Sequence, residues 1–285
     1  MHTYAEGRHE HGQNFLTDRR TIRKIVDLAA VVPGPLLEVG PGTGALTLPL
    51  EKLGRPLTAV EIHPGLAKHL ASRTAQLTQV VTGDFLDYRL PQKPFVIVGN
   101  LPFHLTTAIL RKLLHHPHWT QAVLLTQWEV ARRRAGVGGA TMMTAQWAPF
   151  YAFELAGRVP ATAYTPAPSV DAGIITITRR AAPLLPWKER KQYGGFVHRV
   201  FTGPGRGVGQ ILRSATGSDQ KQIGQWLGEL GIRKTALPKE LTAEQWAGIY
   251  EKSRGSSRRT GRQLGKTERA GPRPKRRQHR RPLHR

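Results

Sequence analysis

Apolar positions in the first third of the chain follow two periods. From Asp18 to Val32, Ile22, Ile25, Val26, Ala29 and Ala30 recur at helical spacing, and Pro33-Gly34-Pro35 ends the pattern. Short apolar runs then read as buried strands at Leu36–Val39, Leu57–Val60, Gln79–Val81, Phe95–Val98 and Val123–Leu125. Helical patterns fill the gaps at Ala45–Leu53, Gly65–Arg73, Thr106–His115 and Trp128–Arg134. Strand–helix alternation at this pitch predicts an α/β fold, a mostly parallel sheet with helices on both faces. Two later strand-like segments, Phe153–Val159 and Gly173–Thr178, have no clear helix between them and predict an antiparallel hairpin at the sheet's edge. From Trp187 to Tyr250 only helical patterns remain, with Trp187, Trp226 and Trp246 as candidate core anchors. A small all-α C-terminal domain is therefore expected beyond a boundary near Arg180–Trp187.

Charge changes this picture by naming a partner. Across 285 residues, 43 Lys and Arg stand against 19 Asp and Glu, a formal net charge of +24. Such an excess points to a polyanion, nucleic acid before an anionic membrane surface. It is concentrated at the end, where Lys252–Arg285 carries 14 basic residues and one acid, Glu268. That segment has no aromatic residue, so we expect a disordered basic tail that grips phosphates without reading bases. The absence of cysteine excludes a disulfide framework, Cys-ligated metal sites and a thiol nucleophile. No apolar stretch approaches the roughly 20 residues of a membrane span, and Met1–Phe15 lacks the apolar core of a signal peptide. A cytoplasmic protein without membrane contact is expected.

Candidate chemistry sits at the ends of the strands. Gly40, Gly42 and Gly44 follow the first strand and open a helical pattern, permitting a tight turn and a ligand laid against the backbone. The helix N-terminus behind them is expected to receive an anionic group. By itself this turn does not separate a nicotinamide dinucleotide from S-adenosylmethionine. Glu38 lies in the first strand, and Glu61 ends the second, where a carboxylate accepts from ribose hydroxyls. Asp84 follows the third, placed to accept from an adenine amino group while Phe85 packs on the ring. The fourth strand ends in Gly99-Asn100-Leu101-Pro102-Phe103. An adenine amine is a poor nucleophile because its lone pair is delocalised into the ring. The Asn100 side chain and the Leu101 carbonyl can hold its two hydrogens and turn the lone pair toward an electrophile. Pro102 fixes the turn, and Phe103 offers a face to an extruded base.

With these residues in order, the sequence resembles the rRNA adenine N6-methyltransferases, and within them the Erm group acting on large-subunit rRNA. The resemblance rests on Gly12-Gln-Asn-Phe-Leu16, Glu38-Val-Gly-Pro-Gly-Thr-Gly44, Glu61, Gly83-Asp-Phe85, Asn100-Leu-Pro-Phe103 and Val159–Ser169. It implies a Rossmann-like class I methyltransferase sheet, S-adenosylmethionine as cofactor, 23S rRNA as substrate, and resistance to macrolide-type antibiotics. By the same resemblance Gln13, Asn14 and Leu16 line the methionine end of the cofactor and Gly40 lies against it. Glu61 takes the ribose, Asp84 the cofactor adenine, and Asn100 both cofactor and target amine; Gly42, Ile62 and Phe85 join the cofactor-binding set. Tyr164, where the family usually has Phe, forms with Phe103 the walls around the flipped adenine; Tyr is common where Phe103 stands. The implied layout is an N-terminal segment (residues 1–16) entering the cofactor site, a catalytic domain (17–182), a helical RNA-binding domain (183–251) and the tail (252–285). A monomer without metal is expected.

Three competing readings share these motifs in part: a small-subunit rRNA adenine dimethyltransferase, a DNA adenine methyltransferase, and a non-enzymatic rRNA-binding assembly factor. Other features carry less. His2, His9 and His11 lack metal-ligand spacing, and His115, His116 and His118 sit at a helix end where a cation suits the dipole. Arg132–Arg134 before a glycine run, and the stretch from His198 to Arg213, are candidate RNA-backbone contacts.

Overall fold

The computed structural model describes residues 14–267, with side chains described as far as residue 255. A two-residue strand β1 (Phe15–Leu16) leads into α1 (Arg19–Ala30). Asp18 caps α1, its carboxylate accepting from the Thr21 amide at 2.8 Å and the Thr21 hydroxyl at 2.6 Å, bonds that lower its pKa. Then follow β2 (Leu36–Val39), α2 (Thr47–Glu51), β3 (Leu57–Glu61), α3 (Pro64–Ala71), β4 (Thr78–Thr82), β5 (Phe95–Asn100), α4 (Thr106–Leu114), β6 (Trp119–Gln127) and α5 (Trp128–Arg134). After α6 (Met142–Trp147) come β7 (Tyr151–Val159), β8 (Tyr164–Thr165) and β9 (Ala172–Arg179). The remainder is helical: α7 (Arg190–Thr202), α8 (Val208–Thr216), α9 (Gln220–Glu229) and α10 (Ala243–Thr267).

Seven strands form one sheet in the order β4-β3-β2-β5-β6-β9-β7. The first five are parallel; β9 runs antiparallel to both β6 and β7. The expected hairpin exists, but its later strand inserts against β6, so β7 is the edge. Strand order reverses at β2, between β3 and β5, and a ligand crevice opens at such a switch point.

Period-two alternation divides the core. Leu36, Val96, Val98, Val123 and Leu125 join one apolar cluster, with Ile25 and Ala29 of α1. Their neighbours Leu37, Val39, Ile97 and Leu124 join another on the opposite face. This second cluster continues without a break into Tyr193, Phe196, Trp226 and Trp246 of the C-terminal helices. Trp246 stacks on Phe201 there, with ring centroids 5.7 Å apart. Trp187, expected as a helical anchor, packs instead on Trp147, Phe150 and Tyr151 beside the sheet. The secondary structure changes near Arg180–Trp187, while the core runs across that point.

Two expectations are corrected. The helix after the glycine turn spans only Thr47–Glu51, too short to offer an N-terminal anion site, because residues 41–46 are used in turns. The segment from Lys252 is not disordered throughout, since α10 runs to Thr267. Its first proline comes only at Pro272, so although Gly255, Gly261 and Gly265 lower its helix propensity, nothing breaks a helix already anchored by Trp246 and Tyr250. Residues 268–285 lie outside the described residues.

Candidate active site

The crevice at the carboxyl ends of β2, β3 and β5 holds a cavity of about 720 Å³. Asn14, Leu16, Gly40, Gly42, Glu61, Ile62, Asp84, Phe85, Asn100, Leu101, Phe103 and Tyr164, all expected from the sequence, line it. Gln13, with His2, His9 and His11, lies outside the described residues.

The glycine turn is held by a carboxylate. Gly40 and Gly42 have φ of 63° and 56°, a region that side chains with a Cβ rarely enter. The Gly42 amide donates to Glu61 Oε2 at 2.9 Å, and the His63 amide donates to Glu61 Oε1 at 3.0 Å. Glu61 thus ties the turn after β2 to the end of β3 while each oxygen keeps lone-pair capacity toward the cavity. Beside it Ile62 stays 55% exposed, an apolar surface open to a flat ligand. Asp84 uses one oxygen on the Leu86 amide (2.7 Å), which leaves the other for a donor. Lys112 Nζ donates to the Leu86 carbonyl at 2.7 Å and fixes the same loop to α4. Phe85 is more deeply packed than expected, buried in the core with its edge at the cavity.

Glu38 is fully buried, and its Oε2 has no hydrogen-bond partner. Burial pushes its carboxyl up to about 8; the Thr47 hydroxyl pulls the other way, and the nearby Glu61 charge adds to the rise. Glu38 is therefore a largely neutral acid on the wall of the cavity at pH 7.

Asn100 ends β5. Gly99 before it is required, because a Cβ there would lie 2.9 Å from the Val39 carbonyl oxygen of β2. The Asn100 amide nitrogen donates to the Asn14 carbonyl at 3.3 Å. Only the nitrogen can face a carbonyl, so Oδ1 is left to accept from a ligand. The Leu101 amide donates to the Leu125 carbonyl at 3.0 Å, which sets the peptide plane at the start of the turn. A 3₁₀ turn, Phe103–Leu105, then presents the half-buried Phe103. Opposite, Tyr164 is held by the pairing of β8 with β1, with Leu16 in register with Tyr164. The Thr17 amide donates to the Ala163 carbonyl at 2.8 Å. Tyr164 is buried with its hydroxyl unpartnered, and burial raises its pKa. This two-strand clasp was invisible to periodicity, since two residues carry no period; the only signal was the resemblance around Phe15 and Tyr164. Also missed were the Asn14 carbonyl as partner of Asn100 and the amide grip on Glu61.

The arginine run divides. Arg132 pairs with Glu129 at 3.2 Å, and Arg134 is packed inward with its pKa lowered by burial, so of the three only Arg133 is exposed. Among the described residues no three His, Asp or Glu side chains converge as a metal site would require, and no helix is long and apolar enough to cross a membrane.

The model of the family described as ribosomal RNA adenine dimethylase matches residues 4–254. The chain belongs to that family. It is 58% identical over 214 residues, 75% of this chain and 85% of the other, to an rRNA adenine N-6-methyltransferase of Corynebacterium diphtheriae. It is 44% identical over 245 residues to the mycinamicin-resistance protein MyrB of Micromonospora griseorubida, covering 86% of this chain and 78% of that one. Among solved structures it is similar to the 23S rRNA methyltransferase ErmE, with a TM-score of 0.78 and 34% identity over 85% of this chain and all of that one. The class I methyltransferase fold and rRNA adenine N6-methyltransferase activity are thereby established for the chain, and its substrate is ribosomal RNA.

Proposed function

We propose that the protein methylates N6 of one adenine of 23S rRNA with S-adenosylmethionine, and thereby confers resistance to macrolide-type antibiotics. The observation that carries the site assignment is the Asn100–Asn14 hydrogen bond, which leaves an amide oxygen facing a cavity bordered by two ribose- and purine-type acceptors, Glu61 and Asp84. The family implies the cofactor, and the residues present suit it: a backbone turn open at Gly40, where a Cβ would meet nothing within 4 Å, acceptors on Glu61 and Asp84, and an apolar face on Ile62. When bound, it supplies a methyl group activated on a sulfonium sulfur.

The protein's own part is to make the amine attack. Asn100 Oδ1 and the Leu101 carbonyl accept the two amino hydrogens, which takes the nitrogen out of conjugation with the ring and directs its lone pair. Phe103 and Tyr164 hold the extruded base between two aromatic faces. With the cofactor bound, Asn100 Oδ1 and the Leu101 carbonyl would hold the amine in line with the activated methyl group and accept its hydrogens as positive charge develops on the nitrogen, one proton then passing to water. Asn14 and Leu16 would hold the methionine side of the cofactor, and Gly42 and Phe85 its nucleoside. No metal enters this scheme, and we read the enzyme as a cytoplasmic monomer. The substrate assignment beyond ribosomal RNA leans on MyrB and ErmE, which are named for resistance and for 23S rRNA. Methyl transfer to deproteinised rRNA, followed by mapping, tests it: label in large-subunit RNA is expected, and label confined to small-subunit RNA would overturn it.

A further inference from the structure

Helix α1 carries its charges where an isolated protein would not place them. Its exposed face bears Arg19, Arg20, Arg23 and Lys24, with Asp27 the single acid in the helix. All four cations lie in the N-terminal half, against the helix dipole. They also form two like-charged pairs at four-residue spacing, Arg19–Arg23 and Arg20–Lys24, which repel along one face. Among the described residues none of the four makes an ion pair or a side-chain hydrogen bond, whereas the nearby Arg158 is bonded to Asp171 at 2.7 Å. Packing does not demand them, because Thr21, Ile25 and Ala29 point inward.

The position of this face is fixed by the clasp at the active site. The Thr17 and Asp18 amides both donate to the Ala163 carbonyl, and Leu16 pairs with Tyr164, so α1 starts two to three residues from the proposed wall of the adenine pocket. At its other end the face reaches the sheet edge, where Lys24 Nζ would lie 2.8 Å from a Cβ on Gly157 of β7. A row of four cations, with only Asp18 near Arg20 and Asp27 one turn beyond Arg23 to answer it, laid beside the pocket mouth, matches a polyanion rather than solvent.

We propose that the exposed face of α1 binds RNA phosphates flanking the target adenine and so positions the extruded base over Asn100. This inference rests on the reading of the cavity as an rRNA adenine site. It assigns α1 a substrate-positioning role separate from the general attraction of the basic tail. Phosphate contacts carry no base identity, so α1 sets register and affinity while the pocket selects adenine.

The test compares the full-length wild type with Arg19→Gln/Arg23→Gln and with a control of equal charge loss, Lys68→Gln/Lys93→Gln, exposed positions outside the cavity lining. Deproteinised bacterial 23S rRNA is the substrate. The α1 variant is expected to raise the KM for RNA about tenfold with kcat within about twofold, and to flatten the logarithmic salt dependence of RNA binding by about one to two. Its binding of S-adenosylhomocysteine stays unchanged, and its melting temperature rises because the repulsion is gone. An unchanged KM and salt slope, with or without a raised melting temperature, would overturn the inference. So would an equal loss in the control, which would make the effect one of net charge alone. A wild type that methylates no rRNA would overturn the reading of the site as well; methylation by the wild type with an indifferent α1 variant would sink this inference only.

Discussion

At Asn100 the proposed chemistry depends on one amide being held the right way round. The Asn14 carbonyl takes its nitrogen, and the oxygen faces the cavity. Asn100→Ala removes an acceptor whose worth lies in the transition state, so kcat should fall about 100-fold or more, as for other single polar groups aimed at developing charge. Steady-state kinetics on rRNA, with cofactor-analogue binding and melting temperature measured alongside, checks this; near-normal turnover would refute the role. Glu38 offers a second residue-scale prediction, read through pH. Its folded pKa, raised from 4.5 to about 8, means that the native state keeps a proton the unfolded chain releases. Stability should therefore fall as pH rises from about 4.5 to about 8 and level off above. Glu38→Gln should remove that slope, gaining up to about 1.4 kcal/mol per pH unit across the window. Denaturant unfolding at pH 5, 6, 7 and 8 would show it. Tyr164→Phe, which deletes a buried hydroxyl without a partner, should raise stability by about 1 kcal/mol and keep the aromatic wall. Losing most activity in that variant would give the hydroxyl a chemical role.

At the scale of elements, the site is a set of strand ends locked to one another. Glu61 joins the glycine turn to the end of β3 through the Gly42 and His63 amides. Glu61→Ala should accordingly weaken S-adenosylhomocysteine affinity by at least about tenfold and cost about 1–3 kcal/mol of stability, because two amides lose their acceptor. A loss of affinity alone, without a drop in melting temperature, would mean that the turn stands unaided. Much of this level was legible beforehand. The bounds of β2 match the sequence reading, because Leu36, Leu37 and Val39 between Pro35 and Gly40 leave little choice. The helix after the glycine turn was overextended, because its apolar spacing continues through residues that the backbone spends on turns. The order of β9 and β7 depends on which strand better covers β6. With Ala172 to Ile177 buried, β9 suits the interior, while the half-exposed β7 suits the edge. That comparison requires burial, which a sequence does not display.

Across the whole molecule, two faces of one sheet carry different loads. One is covered by α1 and α2 beside the cavity; the other shares a continuous core with the C-terminal helices. That continuity escaped the sequence reading, since Trp187 and Trp246 look alike in a chain and only packing shows that the first belongs to the sheet side. The candidate site was far more legible, because its residues follow strand ends in order and the fold brings strand ends together. Charge acts at this scale too. Deleting residues 268–285 should weaken RNA binding most at low salt and flatten its salt dependence without changing the adenine chosen, because phosphate contacts release counterions and carry no base identity. Electrophoretic or fluorescence titration over a range of salt, with mapping of the methylated base, checks both halves.

Methyl mapping on ribosomes from a macrolide-sensitive bacterium expressing either the wild type or Asn100→Ala tests the role of Asn100 and the 23S rRNA target together. An N6-methylated adenine in 23S rRNA and macrolide resistance are expected with the wild type, and neither with the variant. Methylation found only in small-subunit rRNA, or equal protection by both proteins, would contradict that expectation.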